Sequence, residues 1–352
     1  MATTSLTIGN ELLSTTMHIL MKDFRDNVHE SVAFLDAQER IHGAGKPVQA
    51  GGSRIVVPLG FGEHSSTTRL QTGFERIDLS VEDVFQPAQY DFGHVVRPVA
   101  ISSEEEMVNQ GDAAILSILE SRVMMTANAL KREYVKQIVK GGQTGWEDWG
   151  TLNGFDVTTG DHAGFLEPEA VGSQGNTCGG VSKATFSSKT GWQNQVFDGA
   201  GSFNSNGLAG LYDLLVEIDA VSPSGKPNVI LASRAGFKNL KRALQAHERY
   251  VDQSQIDGGR MVEMFQGIPI NVEYNMPNDG GASGTTTDPI SFYFLNMNDI
   301  YCLWDPKGYF DLSDFETVSG EYDVRAAKLR CRGQLIAKHL GSSGLAFDLE
   351  TF

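Results

Sequence analysis

The chain has 352 residues, with 44 acidic and 28 basic side chains and a formal net charge of −16. This excess of negative charge argues against a general nucleic-acid-binding surface, but it does not exclude local basic patches. No stretch approaches the roughly 20 apolar residues that a membrane helix needs, and the first residues lack the charged start and apolar run of a signal peptide.

The three cysteines are widely spaced and odd in number, and the chain holds no Asn-x-Ser/Thr sequon. Nothing in these patterns points to secretion, so we expect folding in the cytosol.

Residues 1–52 are predicted to form a helical arm. Apolar residues recur at helical spacing over residues 10–41, but too sparsely to build a core of their own. Gly43, Gly45 and Lys46 suggest a phosphate loop, but Pro47 stands where that motif needs Ser or Thr. A turn is therefore the better prediction.

Residues 53–102 are predicted to form an extended β-hairpin loop. Residues 54–59 alternate as a strand with one buried face would, and residues 84–101 form a second extended run. At about 3.3 Å per residue, a hairpin over residues 60–100 would project on the order of 50 Å. Because so long a ribbon is marginal alone in water, we expect it to lie on another surface.

Residues 103–141 contain the clearest helix, over residues 112–140. An apolar stripe runs along it, and Gly141-Gly142 ends it. Ser102 or Ser103 with Glu105 or Glu106 offers a capping-box start. The stripe consists of Ile115, Leu119, Val123, Ala127, Leu130, Tyr134 and Ile138.

Residues 142–206 form an insert rich in Gly, Ser, Thr and Asn, with scattered aromatic residues. Its aromatics are too many for plain disorder. Trp146, Trp149 and Trp192 suggest two alternatives: a sugar-stacking face, or small core clusters, which we favour.

From residue 207 the pattern alternates between helices and strands, which indicates an α/β unit over residues 207–308. Residues 309–352 are again extended. Within this tail, residues 324–340 contain five basic side chains and no acid. Lys328, Arg330 and Arg332 share a face if the segment is a strand. This face is either solvated and balanced by nearby acids, which we favour, or a docking face for an acidic surface or phosphates.

The sequence contains only incomplete forms of the common catalytic and metal-binding motifs. His29-Glu30 lacks the second histidine of the zinc-protease pattern, and Ser182 lacks the second glycine of a nucleophile elbow. Acid pairs such as Asp156 and Asp161 fit a solvated acidic surface. No catalytic, cofactor-binding or metal-binding residue is predicted, and an enzyme is the weaker hypothesis.

The order of these parts, together with two motifs, resembles a known family. Residues 264–277, MFQGIPINVEYNMP, carry a hydrophobic–Gly–x–Pro–hydrophobic strand that ends in a Met-Pro turn. The strand ISFYFLNMNDIYCLWDP, a charged return strand and the ending LAFDLE follow it. The chain resembles the major capsid protein of tailed double-stranded DNA phages. This family has the Johnson fold, which herpesvirus shells and encapsulins share.

The resemblance implies an α+β fold with an N-terminal arm, an extended β-hairpin loop, a peripheral domain with a long spine helix, and an α/β axial domain. It implies self-assembly as pentamers and hexamers into an icosahedral shell around a phage genome, with the hairpin lying across the neighbouring copy. Candidate inter-subunit contacts are Arg69, Phe74, Glu75, Arg76, Glu82, Asp83, Lys328, Arg330 and Arg332.

The implied partners are further copies of the chain, with scaffolding, portal and decoration proteins as additional candidates. Packaged double-stranded DNA is expected to make only weak contacts with so acidic a chain. The implied location is the virion capsid, after assembly in the host cytoplasm and without a membrane. The alternatives are an encapsulin-type compartment and a carbohydrate-binding or hydrolytic protein that uses the insert.

Some members of this family join their subunits by an isopeptide bond from a lysine in the hairpin loop. This chain has no lysine between Lys46 and Lys131. We therefore expect non-covalent contacts between subunits.

Overall fold

The structure is a computed structural model, and it contains five helices and sixteen strands in the part of the chain that it describes. That part comprises residues 33–42, 49–61, 69, 71, 73, 76, 84–108, 118–154, 164–185, 191–199, 202–245, 253–256, 260–276, 290–317, 323–349 and 352. The helices are α1 (Ala33–Ile41), α2 (Ser103–Val108), α3 (Ile118–Val139), α4 (Phe203–Val221) and α5 (Arg234–Gln245).

The strands fall into two main sheets, a two-stranded ribbon and a short hairpin. They are β1 (Arg54–Gly60), β2 (Phe85–Asp91), β3 (Gly93–Ser102), β4 (Thr177–Cys178), β5 (Val181–Ser182), β6 (Gln195–Asp198), β7 (Val229–Ala232), β8 (Gln253–Ile256), β9 (Arg260–Phe265), β10 (Ile268–Val272), β11 (Ile290–Leu295), β12 (Ile300–Trp304), β13 (Asp311–Leu312), β14 (Glu316–Thr317), β15 (Val324–Ala337) and β16 (Gly344–Phe347).

The first main sheet has seven strands in the order β6-β16-β11-β7-β10-β9-β8. Every residue of β7, β11 and β16 is buried, as expected for strands covered on both faces. One face packs against α4 and α5 through a core that includes Leu214, Ile218, Leu240 and Phe292. The predicted α/β alternation from residue 207 is therefore confirmed.

The second main sheet is built around the 14-residue strand β15. Strand β3 pairs with one edge of β15 over ten residues, from Gly93 to Ser102. Short strands β14 and β13 and then β12 occupy the other edge. The chain crosses between the two main sheets twice, from β11 to β12 and from β15 to β16. Buried residues of both sheets belong to one large hydrophobic core.

Helix α3 supplies the aromatic centre of this large core. The ring of Tyr134 lies 5.8, 5.3 and 4.9 Å from the rings of Trp146, Trp149 and Trp304. Ile138 on the same helix face is fully buried. The predicted apolar stripe is confirmed from Leu130 onward, and the predicted residues 112–117 lie outside the described part.

The predicted capping box lies at the start of α2. The Ser102 hydroxyl accepts a hydrogen bond from the Glu104 amide, and the Glu105 carboxylate accepts one from the Ser102 amide. Arg122 of α3 binds the same carboxylate through both terminal nitrogens. This pairing lowers the pKa of Glu105 to about 2.

Helix α1 docks on the free edge of β12. The Gln38 side-chain amide donates to the carbonyl oxygen of Cys302 and accepts from the Cys302 amide, as a neighbouring strand would. Phe34 and Leu35 of α1 are buried in the large core. The end of the predicted arm thus packs on its own chain, while residues 1–32 lie outside the described part.

The extended run predicted over residues 84–101 is two strands that belong to different sheets. The break falls at Phe92, between β2 and β3. A Cβ atom on Gly93 would lie 2.3 Å from Nε1 of Trp149, so only glycine allows this close approach. The close approach of the Trp149 ring sets the bend, and this ring is distant in sequence, so the local alternation of residues 84–101 does not predict it.

Candidate assembly surface

Strands β1 and β2 form an antiparallel ribbon at the base of the predicted hairpin loop. The register runs from Arg54 opposite Asp91 to Gly60 opposite Phe85. The Phe61 amide continues the pairing by donating to the Val84 carbonyl oxygen. Most residues between Phe61 and Val84 lie outside the described part, so the ribbon is the described base of the predicted hairpin loop.

The two faces of the ribbon differ sharply in exposure. On the inner face, Ile55, Leu59, Ala88 and Tyr90 are buried. On the outer face, Phe85 is 76 % exposed and Val56 is 55 % exposed. Pro58 and Pro87 lie on the same outer face, directly opposite each other. The ribbon therefore presents apolar side chains that the described part of its own chain does not cover.

The paired prolines also restrict how another molecule can approach. Proline has no N–H, so Pro58 and Pro87 must occupy a pair that is not hydrogen-bonded across the ribbon. At such a position the missing donors would have pointed outward, one on each edge. Addition of a further strand is disfavoured at both edges here, which leaves the outer face as the surface for contact.

Residues 164–185 and 191–194, which we call the seat, underlie the inner face of the ribbon. The Gln89 amide donates to the Gly179 carbonyl oxygen at 2.8 Å. The Phe61 ring packs edge-on against Trp192, with 5.6 Å between centroids. The Tyr90 hydroxyl donates to the Ala337 carbonyl oxygen at 3.1 Å. These contacts fix the root of the ribbon to both the seat and β15.

A buried ion pair organises the seat. Nζ of Lys183 lies 2.8 Å from Oε1 of Glu167, and both side chains are almost fully buried. Lys183 also donates to the Phe165 carbonyl oxygen, and the Glu167 carboxylate accepts from the amides of Gly175 and Asn176. Each charge is thus matched by hydrogen bonds, which is the condition for burying a pair without a large penalty.

Side-chain amides order the rest of the seat, where regular secondary structure is sparse. The Asn194 side chain pairs with the backbone of Glu167 through both its oxygen and its nitrogen. The Gln174 side chain pairs in the same way with the backbone of Asn194. A segment rich in polar residues is thereby held in one conformation.

The tryptophans of the insert are core residues. Trp146, Trp149 and Trp192 are all buried, which confirms the favoured alternative and removes the sugar-stacking face. The insert was predicted as an excursion from the main fold, but it contributes Trp149 and Phe165 to the large core. Its strand β6 also joins the seven-stranded sheet beside β16.

The predicted contacts within the hairpin loop are described only in part. Arg69 and Arg76 are exposed. Phe74, Glu75, Glu82 and Asp83 lie outside the described residues.

The predicted basic stripe, Lys328, Arg330 and Arg332, lies on one face of β15 as expected. Lys328 and Arg330 are exposed, and neither forms an ion pair with another described residue. Arg330 lies opposite Asp311 of β13. Arg332 differs, because it forms an ion pair with Asp305 of its own chain. Its contact with another subunit stays a prediction.

The described His, Cys, Asp and Glu residues form no group of three that would hold a metal ion. Cys178, Cys302 and Cys331 are buried free thiols. Burial raises the pKa of Cys178 to about 11 and that of Cys302 to about 12, which makes both thiols unreactive near neutral pH. None of the described helices combines the length and apolar character needed to cross a bilayer.

The chain is similar to known proteins in its three-dimensional structure. No family model and no curated protein sequence matches the chain. A capsid protein of cyanophage A-1(L) aligns with a TM-score of 0.62 at 14 % identity, over 98 % of this chain and 99 % of that one. The capsid of an empty GTA particle aligns with a TM-score of 0.59 at 14 % identity, over 99 % and 100 %. The SrpI encapsulin of Synechococcus elongatus PCC 7942 aligns with a TM-score of 0.56 at 8 % identity, over 98 % and 97 %.

The chain has the Johnson fold. The predicted fold class is therefore confirmed, and the likeness extends over nearly the full length of both chains. The insert of residues 142–206 falls within this Johnson fold, since the alignments leave at most a few per cent of the chain uncovered.

Proposed function

We propose that this chain is a major capsid protein that assembles as pentamers and hexamers into an icosahedral shell around a phage double-stranded DNA genome. The exposed outer face of the ribbon carries the proposal, because it presents apolar side chains, is rooted in the seat and is not covered by the described part of its own chain. The fold supports it, since the similar chains include phage capsids aligned over their whole length.

In this proposal the outer face of the ribbon packs against a neighbouring copy. A head-to-tail contact of this kind is heterologous, so repetition about an axis closes a ring. The same contact would shield Phe85 and Val56 from water, at about 25 cal/mol for each Å² of apolar surface covered. The role is structural, and the virion capsid is the location, with assembly in the host cytoplasm.

The remaining assignments follow from this role. We assign residues 1–52 to an N-terminal arm, 53–102 to the extended loop, 103–141 and 309–352 to a peripheral domain, and 207–308 to an axial domain. Lys328 and Arg330 are offered as contacts for acidic side chains of another copy. Scaffolding, portal and decoration proteins are further candidate partners, and packaged DNA would touch the acidic chain only weakly.

An encapsulin-type compartment is the second candidate, because an encapsulin is among the similar structures. The two candidates share the assembly and differ in the contents of the particle. Particles isolated from their natural source should contain double-stranded DNA if the chain is a capsid protein. Protein cargo without DNA would favour the compartment.

Self-assembly is tested by sedimentation of the purified full chain over a range of protein and salt concentrations. We expect fast-sedimenting particles that appear as rings or closed shells in negative-stain micrographs. A monomer of 38.3 kDa under every condition would contradict the proposed function.

A further inference from the structure

Two short connections, which we call the feet, join the ribbon to the rest of the protein, which we call the body. The incoming foot contains Gly51 and Gly52, with φ of +75° and +92°. The outgoing foot is Phe92, which joins β2 to β3. Two successive glycines do not by themselves fix the direction of the chain, so the angle of the ribbon depends on its contacts with the body, at the feet as well as at the seat.

The Arg332 side chain contacts both feet at once. Its Nη2 donates to the Gly52 carbonyl oxygen at 3.2 Å. Its guanidinium carbon lies 4.6 Å from the ring centroid of Phe92, a distance at which a cation binds an aromatic face. Gly52 and Arg332 are 280 residues apart in the chain, so this tie is purely tertiary.

The body holds the other side of the same guanidinium. Nη1 of Arg332 donates to Oδ2 of Asp305, whose side chain is 13 % exposed. The Arg332 amide donates to the Gly308 carbonyl oxygen, and its carbonyl oxygen accepts from the Asp305 amide. Backbone and side chain of Arg332 are therefore both fixed to the turn of residues 305–308.

We propose that Arg332 is a positioning residue that clamps the two feet of the ribbon and, together with the contacts of the seat, sets its angle to the body. A planar guanidinium suits this role, because its edge donates to Asp305 and Gly52 while its face covers Phe92. Lysine has no such fork or plane. The clamp is a property of one chain, and its consequence for shell assembly rests on the proposed function.

Distances between two spin labels test the clamp directly. Cysteines replace the exposed residues Gln86, on the ribbon, and Asp219, on α4, and the three native thiols are buried and unreactive. Dilution with unlabelled full chain restricts the signal to distances within one chain, assembled or not. The parent chain should give a narrow distance distribution, and Arg332→Gln should broaden it. Arg330→Gln, two residues along the same strand face, is the matched control and should leave it narrow.

A second variant separates the clamp from general damage to β15. Phe92→Leu removes the aromatic face and keeps the ion pair of Arg332 with Asp305, so the distribution should broaden while the thermal unfolding midpoint stays near that of the parent. A distribution that stays narrow in both Arg332→Gln and Phe92→Leu overturns the clamp.

Particle yield, measured on the same samples, tests the consequence for assembly. Loss of closed particles in Arg332→Gln but not in Lys307→Gln, which removes an exposed lysine from the turn of residues 305–308, supports a role of the angle in assembly. A parent chain that never assembles, but whose distances broaden in Arg332→Gln, contradicts the proposed function and leaves the clamp supported.

Discussion

Replacing residues 62–83 by Asn-Gly should abolish particle formation while the body of the protein stays folded. The Phe61 amide donates to the Val84 carbonyl oxygen, so a two-residue turn can close the ribbon between them. The excision removes residues 62–83 of the predicted loop and keeps the seat, the clamp and both main sheets. Each lost contact worth about 1.4 kcal/mol weakens subunit association about tenfold. A shell repeats that loss at every subunit, so sedimentation should show only small species.

Circular dichroism and the thermal unfolding midpoint serve as controls for this excision. Both should match the parent chain, because Tyr90 and the other inner-face residues of the ribbon keep their contacts with the seat. Normal particles formed by the excised chain would show that the loop has no part in assembly.

Lys183→Met should destabilise the fold by about 3–5 kcal/mol, because it leaves the Glu167 charge buried without its partner. Glu167 lies beneath the ribbon, where water cannot replace the lysine, and the side chain of Lys183 is fully buried. The free energy of unfolding from urea titration measures the effect. The pair Lys241–Glu263, whose side chains are 51 % and 23 % exposed, offers a control nearer the surface, and Lys241→Met should cost less than about 1 kcal/mol.

The double variant Lys183→Met with Glu167→Gln distinguishes a broken pair from lost packing. Removing both charges should recover part of the stability, since glutamine still offers an oxygen to the amides of Gly175 and Asn176. We expect a coupling energy of about 0.5–3 kcal/mol between the two positions. Strictly additive losses would show that the two charges do not interact.

Sequence patterns predicted the order of elements well where periodicity is strong. Helix α4 and strand β7 were predicted because their apolar residues recur in a pattern that is visible within a short stretch of sequence. The two strands β1 and β15 were likewise predicted, β1 from the alternation of residues 54–59 and β15 from the alternating positions of Lys328, Arg330 and Arg332. The architecture followed from the order of these elements.

The parts of the assembly surface that were missed depend on contacts between distant residues. The seat has the composition of a loop, because Asn194 and Glu167 order it through side chains and not through a repeat. The bend at Phe92 arises from Trp149 packing against Gly93. Arg332 looked like a member of a solvated stripe, since nothing local reveals its contact with Gly52. In the sequence, only the glycines beside the predicted strands, such as Gly51 and Gly52, indicated that the chain changes direction there.

Photo-crosslinking from position 85 tests most directly whether the ribbon meets a neighbouring copy. A photoreactive phenylalanine analogue replaces Phe85, the most exposed apolar side chain of the ribbon. In irradiated particles we predict covalent dimers on a denaturing gel. Unirradiated particles should run as single chains, because no loop lysine is available for a covalent link. Particles that form normally yet give no product between chains on irradiation would contradict the account.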